Sequence, residues 1–367
     1  MLTSIQRLSL HNSGADWSRD ILSAVVQAHN SLWVISGKRN RLDCFAPTGG
    51  VHFKAVKSFD LDHFLADSAA TKSANGTAFD IEIESAAFDG SSLWVVGSHS
   101  LSRILADPFK PDRKNILQLQ SLVKKKHRFV LARIPVAIRQ EDETRLTVEL
   151  LDDADPENVS RLAGTVDGNE LTDAIAEDEH LQPFLAIPGD ENGLAVGGIA
   201  VYGNKVFLGL RGPVLHGWGI VLELEVEEDS DHILHLKPIG PDGQRYRKHF
   251  LQLDGLGIRD LCLDGQDLLL LARPSQDFDW PVMIYRWYQG VTQVEERLVW
   301  SRQGSELTQV ICGPRTAVGT GYDRPHSLSL VSNDEFPYSV LVGYEAPSPY
   351  RLPRPAQLDL DLFRLTQ

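Results

Sequence analysis

The chain has 367 residues, of which 42% are hydrophobic and 23% are charged, and its formal net charge is −14 at pH 7. This composition is typical of a soluble globular protein with a large buried core, and it excludes an intrinsically disordered chain. Because nucleic-acid binding requires a basic surface that neutralises phosphates, the acidic excess predicts that no nucleic acid is a partner.

The sequence has no run close to the roughly 20 apolar residues that cross a bilayer, and its first residues, MLTSIQRLSLHNSGADW, lack the apolar core of a signal peptide. We therefore expect a cytoplasmic protein without a membrane partner. The cysteines, Cys44, Cys262 and Cys312, are far apart and form no Cys-x-x-Cys pair. This spacing predicts buried thiols and neither a disulfide framework nor a zinc site.

Short apolar runs separated by Asp-Gly, Asn-Ser and Gly-Asn turns recur along the chain, which is the pattern of successive antiparallel hairpins. Four hairpins align without gaps: QAHNSLWVISGK from Gln27, FDGSSLWVVGSH from Phe88, VYGNKVFLGLRG from Val201 and LDGQDLLLLARP from Leu263. A fifth pair of strands, HSLSLV from His326 and SVLVGYEAP, is joined by a longer loop. Self-similar units at irregular spacing indicate a propeller whose blades have diverged.

Further strand-like segments follow three of these hairpins, so each unit has material for about four strands, the size of a propeller blade. They are RFVLARIPV and RLTVELLD, IVLELEVEE and HILHLKPI, and MIYRWY and VEERLVW. The sequence therefore predicts an all-β fold, a β-propeller of about five to seven four-stranded blades, as a single domain over residues 1–367. The aligned residues Trp33, Trp94 and Phe207 are expected to be buried between blades.

The alternation of apolar and polar residues stops at residues 154–186, which are rich in acidic side chains. Asp155-Pro156-Glu157 and Asn169-Glu170 in this segment resemble helix starts. We expect a short acidic helical insertion between blades at residues 154–186, and no helix elsewhere in the chain.

A polar side chain ends the second strand of most hairpins. Ser98, Arg211, Arg273 and Glu345 occupy the same aligned position, and a proline follows within two residues of each of the three charged ones. Equivalent positions of different blades lie on one ring around a propeller axis. We therefore expect these side chains to converge at one mouth of the central channel.

The first strand of two units carries further charges. Asp80, Glu82 and Glu84 alternate along DIEIESAAF and are expected on one face of a strand, whereas Arg259 and Asp260 lie in the corresponding segment GIRDLCLD. Buried charges are costly unless they are paired or hydrated. These side chains therefore either form a ligand site or lock neighbouring blades through ion pairs, and the sequence leaves both interpretations open.

His99 lies in the segment GSHSLSR, between Ser98 and Ser100. No Gly-x-Ser-x-Gly motif, which surrounds the nucleophile of many hydrolases, is present around either serine. We therefore do not predict a serine triad, and we interpret His99 as an isolated ligand or acid–base group or as a hydrogen-bonded turn residue.

Three segments, DIEIESAAFDGSSLWVVGSHS, GLAVGGIAVYGNKVFLGLRGPVLHGW and GLGIRDLCLDGQDLLLLARP, resemble the signature segments of a bacterial domain-of-unknown-function family of propeller-like proteins and occur in the family's order. The resemblance covers nearly the whole chain and implies the propeller fold, but no activity. The last repeat of the family begins with a Pro-Glu-Gly-like element, where this chain has Arg324-Pro325-His326-Ser327. His326 therefore takes the place of a carboxylate.

Three functions are compatible with these residues. The first is binding of a polar or anionic small molecule, because arginine recognises carboxylate and phosphate groups with two parallel hydrogen bonds. Its candidate residues are Ser98, His99, Arg211, Arg259, Arg273, His326 and Glu345. The second is a calcium-dependent hydrolase of the lactonase, esterase or phytase-like kind, since calcium takes about six to eight oxygen ligands. Its candidate ligands are Asp80, Glu82, Glu84 and Asp260.

The third function is a protein-interaction scaffold, which the acidic insertion and the negative net charge favour. We rank ligand binding first, the hydrolase second and the scaffold with a protein partner third. The sequence does not decide whether the protein is an enzyme.

Overall fold

A computed structural model of the chain describes residues 5–12, 22–36, 40–65, 81–125, 128–140, 146–150, 158–276, 281–301, 306–315, 323–332, 336–345, 347–354 and 356–365. Every statement about the structure refers to these residues. Asp80 and the expected helix start at residues 155–157 lie outside them.

Most of the described chain consists of β-strands. In chain order the strands are β1 (Ile5–His11), β2 (Leu22–Ala28), β3 (Ser31–Ser36), β4 (Arg41–Gly49), β5 (His52–Asp60), β6 (Ile83–Phe88), β7 (Ser92–Gly97), β8 (Ser102–Arg103), β9 (Leu122–Val123), β10 (Leu131–Gln140), β11 (Leu146–Leu150), β12 (Ser160–Leu162), β13 (Gly164–Thr165), β14 (Gly168–Asn169), β15 (Ala195–Tyr202), β16 (Lys205–Gly212), β17 (Trp218–Glu228), β18 (Ile233–Leu236), β19 (Arg247–Gln252), β20 (Gly257–Asp264), β21 (Asp267–Arg273), β22 (Pro281–Trp287), β23 (Arg297–Val299), β24 (Leu307–Arg315), β25 (Arg324–Val331), β26 (Ser339–Glu345) and β27 (Gln357–Arg364). The α-helices are α1 (Leu61–Leu65), α2 (Asp112–Leu119) and α3 (Glu170–Ala176). Short 3-10 helices occupy Gln182–Ala186, Gly189–Glu191, Pro241–Gly243, Gly290–Thr292 and Pro349–Arg351.

The described strands build five four-stranded antiparallel units, each in the order of a propeller blade. The first unit is β2-β3-β4-β5, the second β6-β7-β10-β11, the third β15-β16-β17-β19, the fourth β20-β21-β22-β24 and the fifth β25-β26-β27-β1. The inner strands β2, β6, β15, β20 and β25 contact one another in a closed ring. The fold is a β-propeller, as the repeated hairpins predict.

The fourth strand of the fifth unit comes from the beginning of the sequence. Strand β1 pairs antiparallel with β27 from Ile5 opposite Phe363 to His11 opposite Gln357, and it also pairs in parallel with β5 of the first unit. The two ends of the described chain therefore meet in one sheet, which closes the ring of units.

The hydrophobic core lies between successive units. Trp33 packs with residues of the second unit, Trp94 with residues of the third and Phe207 with residues of the fourth. All three side chains are buried, which confirms the prediction for them. Each of them is the third residue of the second strand of its unit, and this position faces the next unit.

The expectation that helix is confined to residues 154–186 is wrong. Helix α3 starts at Glu170 with Asn169 as its N-cap, as predicted, but α1 follows the first unit and α2 lies in an excursion of the second unit. Helix α2 is built from a run of helix-forming residues after Pro111 and buries none of its side chains. It was missed because the hairpin alignment skips the segment between β7 and β10. None of the described helices has the length and apolar character needed to cross a membrane.

Candidate functional site

A β-bulge near the start of every inner strand shapes one end of the channel. The register with the second strand skips one residue at the same place in all five units. A bulge leaves one residue unpaired and re-aims its side chain. The skipped residues are Ser23, Glu84, Gly197, Arg259 and His326.

Three of the bulge residues and the end of β26 form a connected polar group. Arg259 Nη2 donates to His326 Nδ1 at 3.1 Å and to Glu345 Oε2 at 3.3 Å. The other ring nitrogen of His326, Nε2, lies 3.4 Å from the Glu84 carbonyl oxygen and 3.6 Å from Glu84 Oε2. These contacts fit an imidazole that accepts at Nδ1 and donates at Nε2.

The two carboxylates of this group are held ionised by their neighbours. Burial by itself raises the pKa of Glu84, but the positive charges of Arg259 and Arg211, together with the neighbouring His326 ring, outweigh burial and keep that pKa below its usual range. The pKa of Glu345 is likewise lowered, against burial, by His326, Arg259 and Arg273. Both carboxylates therefore carry a negative charge at neutral pH.

The aligned arginines at the ends of β16 and β21 lie at the same end of the channel. The positive charge of Arg211 lowers the pKa of Glu84, and Arg211 Nη1 forms an ion pair of 3.0 Å with Asp190 Oδ1. The positive charge of Arg273 lowers the pKa of Glu345, and Arg273 Nη1 donates to the Pro325 carbonyl at 3.3 Å. We call the six residues that the structure brings together here the mouth: Glu84, Arg211, Arg259, Arg273, His326 and Glu345.

Several arginine donors at the mouth are not used by the described protein. Arg259 is 4% exposed, and its Nε and Nη1 have no hydrogen-bond partner among the described residues. The same is true of Arg211 Nε. A buried N–H without an acceptor costs about 1–3 kcal/mol, so these donors point to an acceptor that the described residues do not supply.

The chain is matched over residues 21–361 by the sequence model of a family described as a protein of unknown function (DUF3616). The chain belongs to this family. No curated protein matches the chain.

Solved structures with a similar arrangement of strands include several propellers. The glutaminyl cyclase of Myxococcus xanthus is 8% identical over 100% of this chain and 97% of that chain, with a TM-score of 0.39. The WD40 β-propeller domain of Doa1 is 11% identical over 100% and 97%, with a TM-score of 0.34. The periplasmic gluconolactonase PpgL of Pseudomonas aeruginosa is 13% identical over 94% and 88%, with a TM-score of 0.31. Likeness at this level carries no argument about function.

The structure places His99 and Ser98 of this DUF3616 chain apart from the mouth contacts. The His99 ring lies 2.9 Å from the Gly97 carbonyl through Nδ1 and 2.8 Å from Asn169 Nδ2 through Nε2, so both ring nitrogens are engaged. Burial lowers the pKa of His99 to about 4, which keeps the ring neutral. Ser98 Oγ accepts from Ser100 Oγ at 3.0 Å. His99 therefore supports the cap of α3 and does not contact the mouth.

Glu82 and Glu84 were expected on one face of a strand, and the structure separates them. Glu82 forms an ion pair with Arg128 and lies 3.8 Å from Lys125 Nζ, whereas Glu84 contacts His326. The reason is local: β6 begins only at Ile83, and the bulge at Glu84 breaks the two-residue alternation.

Asp260 lies one residue beyond Arg259 and is fully engaged by donors. Its Oδ1 accepts from Ser85 Oγ at 2.6 Å and from the Leu261 N–H at 2.9 Å, and its Oδ2 accepts from the Leu328 N–H at 2.7 Å. The Ser327 hydroxyl also hydrogen-bonds this carboxyl group. Burial raises the pKa of Asp260 to about 7, although all of these hydrogen bonds lower it.

The hydrogen bonds around Asp260 connect all five inner strands. The Ile199 N–H of β15 donates to Ser85 Oγ of β6 at 3.3 Å, and the Val25 N–H of β2 donates to Ser327 Oγ of β25 at 2.7 Å. Asp260 of β20 lies at the centre of this network, below the mouth. The network therefore ties the units together at the axis.

The calcium hypothesis has no assembled ligand set in the described part of the chain. Glu82, Glu84 and Asp260 make separate contacts, and no group of three or more histidine, cysteine, aspartate or glutamate residues could hold a metal ion among the described residues. Asp80 lies outside them.

Sequence reasoning missed Asp190, which pairs with Arg211. The residue lies in the segment IPGDENG, directly before β15. A Pro-Gly turn that carries two acidic residues next to the start of an inner strand is the signal that identifies a carboxylate at this rim.

Proposed function

We propose that the protein binds a small anionic molecule at the mouth. The observation that carries this proposal is the buried guanidinium of Arg259, whose Nε and Nη1 have no acceptor among the described residues. Buried polar groups in proteins are nearly always hydrogen-bonded, and a charged donor makes stronger hydrogen bonds than a neutral one. An anion at this position supplies the acceptor.

The unused donors of the mouth support an anion over a cation. Arg211, Arg259 and Arg273 contribute three positive charges, Glu84 and Glu345 contribute two negative ones, and Asp190, which pairs with Arg211, contributes a third. The count is therefore balanced, and the direction of the unused hydrogen bonds decides. The buried groups of Arg259 and Arg211 without a partner among the described residues are N–H donors, which bind an anion and not a cation.

The surroundings of Arg259 also favour a small ligand over an extended polymer that runs through the channel. Asp260, the residue after Arg259, is hydrogen-bonded to Ser85 of β6 and to the Leu328 N–H of β25. We expect this link between inner strands to stop a ligand that enters from the mouth. Gly197, the bulge residue of the third unit, has no side chain to fill the mouth, and a Cβ there would lie 2.3 Å from the Ile258 carbonyl oxygen. This glycine lets the backbone that carries Arg259 approach closely.

The test is a thermal-shift measurement with phosphate and citrate on the wild type, Arg259→Gln and Arg297→Gln. We expect both anions to raise the Tm of the wild type, because a ligand at about 100 times its Kd adds about 2.7 kcal/mol to the free energy of unfolding. Arg259→Gln is expected to lose the response. Arg297, an arginine that pairs with Glu306 away from the mouth, is the matched control and should keep it.

Calcium and EDTA are included in the same screen, because they address the hydrolase hypothesis. A wild type that does not respond to either anion, or an Arg259→Gln variant that responds fully, contradicts the proposal. Because Arg259→Gln changes the apo protein too, its anion affinity is also measured by titration calorimetry at a temperature where it is folded.

A further inference from the structure

A carboxylate of the chain itself occupies one arginine of the mouth. Asp190 Oδ1 lies 3.0 Å from Arg211 Nη1, and the Asp190 side chain is 77% exposed whereas that of Arg211 is 13% exposed. An ion pair with one partner so exposed to water stabilises a protein by about 0–1 kcal/mol. Asp190 therefore covers Arg211 from the solvent side with a contact that an incoming anion can replace at little cost.

The segment that carries Asp190 is fixed by other contacts. We call residues 187–193 the strap. The Gly189 N–H donates to the Leu101 carbonyl at 3.0 Å, Glu191 Oε2 accepts from Arg103 Nη2 at 3.0 Å, and Asn192 Oδ1 accepts from the Val214 N–H at 2.9 Å. The Asp190 side chain can consequently rotate away from Arg211 while the strap stays in place.

The strap lies directly against the arginine. A Cβ on Gly189 would lie 2.6 Å from Arg211 Nη2, so a side chain at position 189 would push the guanidinium out of its place. Glycine at this position lets the strap come close enough for the neighbouring Asp190 to reach Arg211. The pairing is thus built into the strap and is not a chance contact of two surface side chains.

Arg211 lies against the strand that carries Arg259. A Cβ on Gly257 of β20 would lie 2.0 Å from the Arg211 carbonyl oxygen, so the backbones of the two arginines are close together. The positive charges of both also lower the pKa of Glu84. The mouth therefore combines Arg259 donors that have no acceptor among the described residues with an arginine that already pairs with a carboxylate of the chain.

Resting on the proposed function, we infer that the ligand carries two anionic groups, one that binds the free N–H donors of Arg259 and one that replaces the Asp190 carboxylate on Arg211. Asp190 is then an internal stand-in for the second group. A monoanion needs only Arg259 and leaves Asp190 in place. A compact dianion, such as a short dicarboxylate, gains the second arginine by displacing Asp190.

The test compares acetate with malonate, succinate and glutarate by titration calorimetry on the wild type, Asp190→Asn and Glu306→Gln. At least one dicarboxylate is expected to bind the wild type more tightly than acetate does. Asp190→Asn should tighten dicarboxylate binding about two- to fivefold, the factor that corresponds to a lost surface pair, and should leave acetate binding unchanged. Glu306→Gln removes an exposed carboxylate that pairs with Arg297 away from the mouth, so it should change neither.

Arg211→Gln completes the experiment. It is expected to reduce dicarboxylate affinity to the level of acetate, and adding Asp190→Asn to it should have no further effect, because the competition takes place on Arg211. A protein in which dicarboxylates bind no more tightly than acetate, or in which Asp190→Asn leaves their affinity unchanged while phosphate or citrate still raises the wild-type Tm, overturns this inference and leaves the proposed function standing. If no anion binds the wild type or any variant, the proposed function fails as well.

Discussion

Arg259 and Asp260 are neighbours in the chain, but their side chains have opposite charges and contact different groups. The bulge directs Arg259 to His326 and Glu345 at the mouth, whereas Asp260 accepts hydrogen bonds from Ser85 and Leu328 on other inner strands. An arginine stays charged when buried, because its pKa is so high, but a buried carboxyl group can take up a proton. The arginines of the mouth therefore keep their charge, whereas the Asp260 carboxyl group takes up and releases a proton.

The titration of Asp260 predicts a pH dependence of stability. Its pKa is about 7 in the folded protein, above the ordinary value of about 3.9 for an unfolded chain. Between these values the folded protein holds a proton that the unfolded chain has released, so this contribution is fully present below about pH 4 and is lost as the pH rises through about 7. Urea unfolding from pH 5 to 8 should show this fall in the wild type.

Asp260→Asn removes the titrating group and serves as the comparison. Its free energy of unfolding is expected to lack this fall with pH and to be lower by about 1–3 kcal/mol, because one oxygen becomes an amide that faces a donor such as the Leu328 N–H. Parallel pH profiles of the wild type and the variant would show that Asp260 does not titrate in this range.

At the scale of single elements, helix α3 shows how the acidic insertion is attached to the propeller. Asn169 Oδ1 accepts from the N–H groups of Leu171 and Thr172, which forms the cap of the helix, and its Nδ2 lies within hydrogen-bond distance of His99 and the Phe129 carbonyl. One side chain thus joins the helix to the second unit. His99, interpreted from the sequence either as a ligand or acid–base group or as a hydrogen-bonded turn residue, is a partner in this joint.

Asn169→Ala should therefore destabilise the protein without weakening anion binding. We expect the free energy of unfolding to fall by about 1–2 kcal/mol, the usual effect of losing an N-cap side chain. Asn204→Ala is the control, because Asn204 bonds only the half-buried Glu225 carboxylate among the described side chains and its loss should have little effect. Chemical denaturation gives the stabilities, and loss of citrate binding in Asn169→Ala would place His99 in the binding site after all.

At the scale of the whole molecule, the pairing of β1 with β27 decides how the ring closes. Leu8 and Leu10 of β1 are fully buried in the core that β1 shares with the first and fifth units, whereas Gln6 and Arg7 on the same strand are exposed. Burial of the apolar side chains of β1 therefore stabilises the closed ring. Hydrogen bonds to β27 and β5 set its register.

Leu8→Ala is expected to lower the free energy of unfolding by about 2–5 kcal/mol, the range for removing a buried leucine side chain. Gln6→Ala at the exposed start of β1 should change it by no more than about 0.5 kcal/mol. Reversible urea unfolding measures both. Equal stabilities of the two variants would mean that β1 is not part of the closed ring in solution.

The sequence by itself determined the parts of this protein that depend on local patterns. Hairpins with aligned Trp33, Trp94 and Phe207 predict the units and their core, because strand alternation and turn residues act over a few neighbouring positions. The same alignment predicts that Arg211, Arg273 and Glu345 end equivalent strands. A strand end is marked by its proline, and equivalent strand ends lie on one ring in a propeller.

Only the tertiary structure decided which charges meet. A β-bulge changes the direction of Glu84, Arg259 and His326 without leaving a clear mark in the pattern of residue types, so alternation placed Glu84 beside Glu82 and did not predict its contact with His326. Asp190 reaches Arg211, and β1 reaches β27, across distances in the chain that no local pattern covers. These contacts arise when the ring closes, since closure brings residues far apart in sequence to one axis.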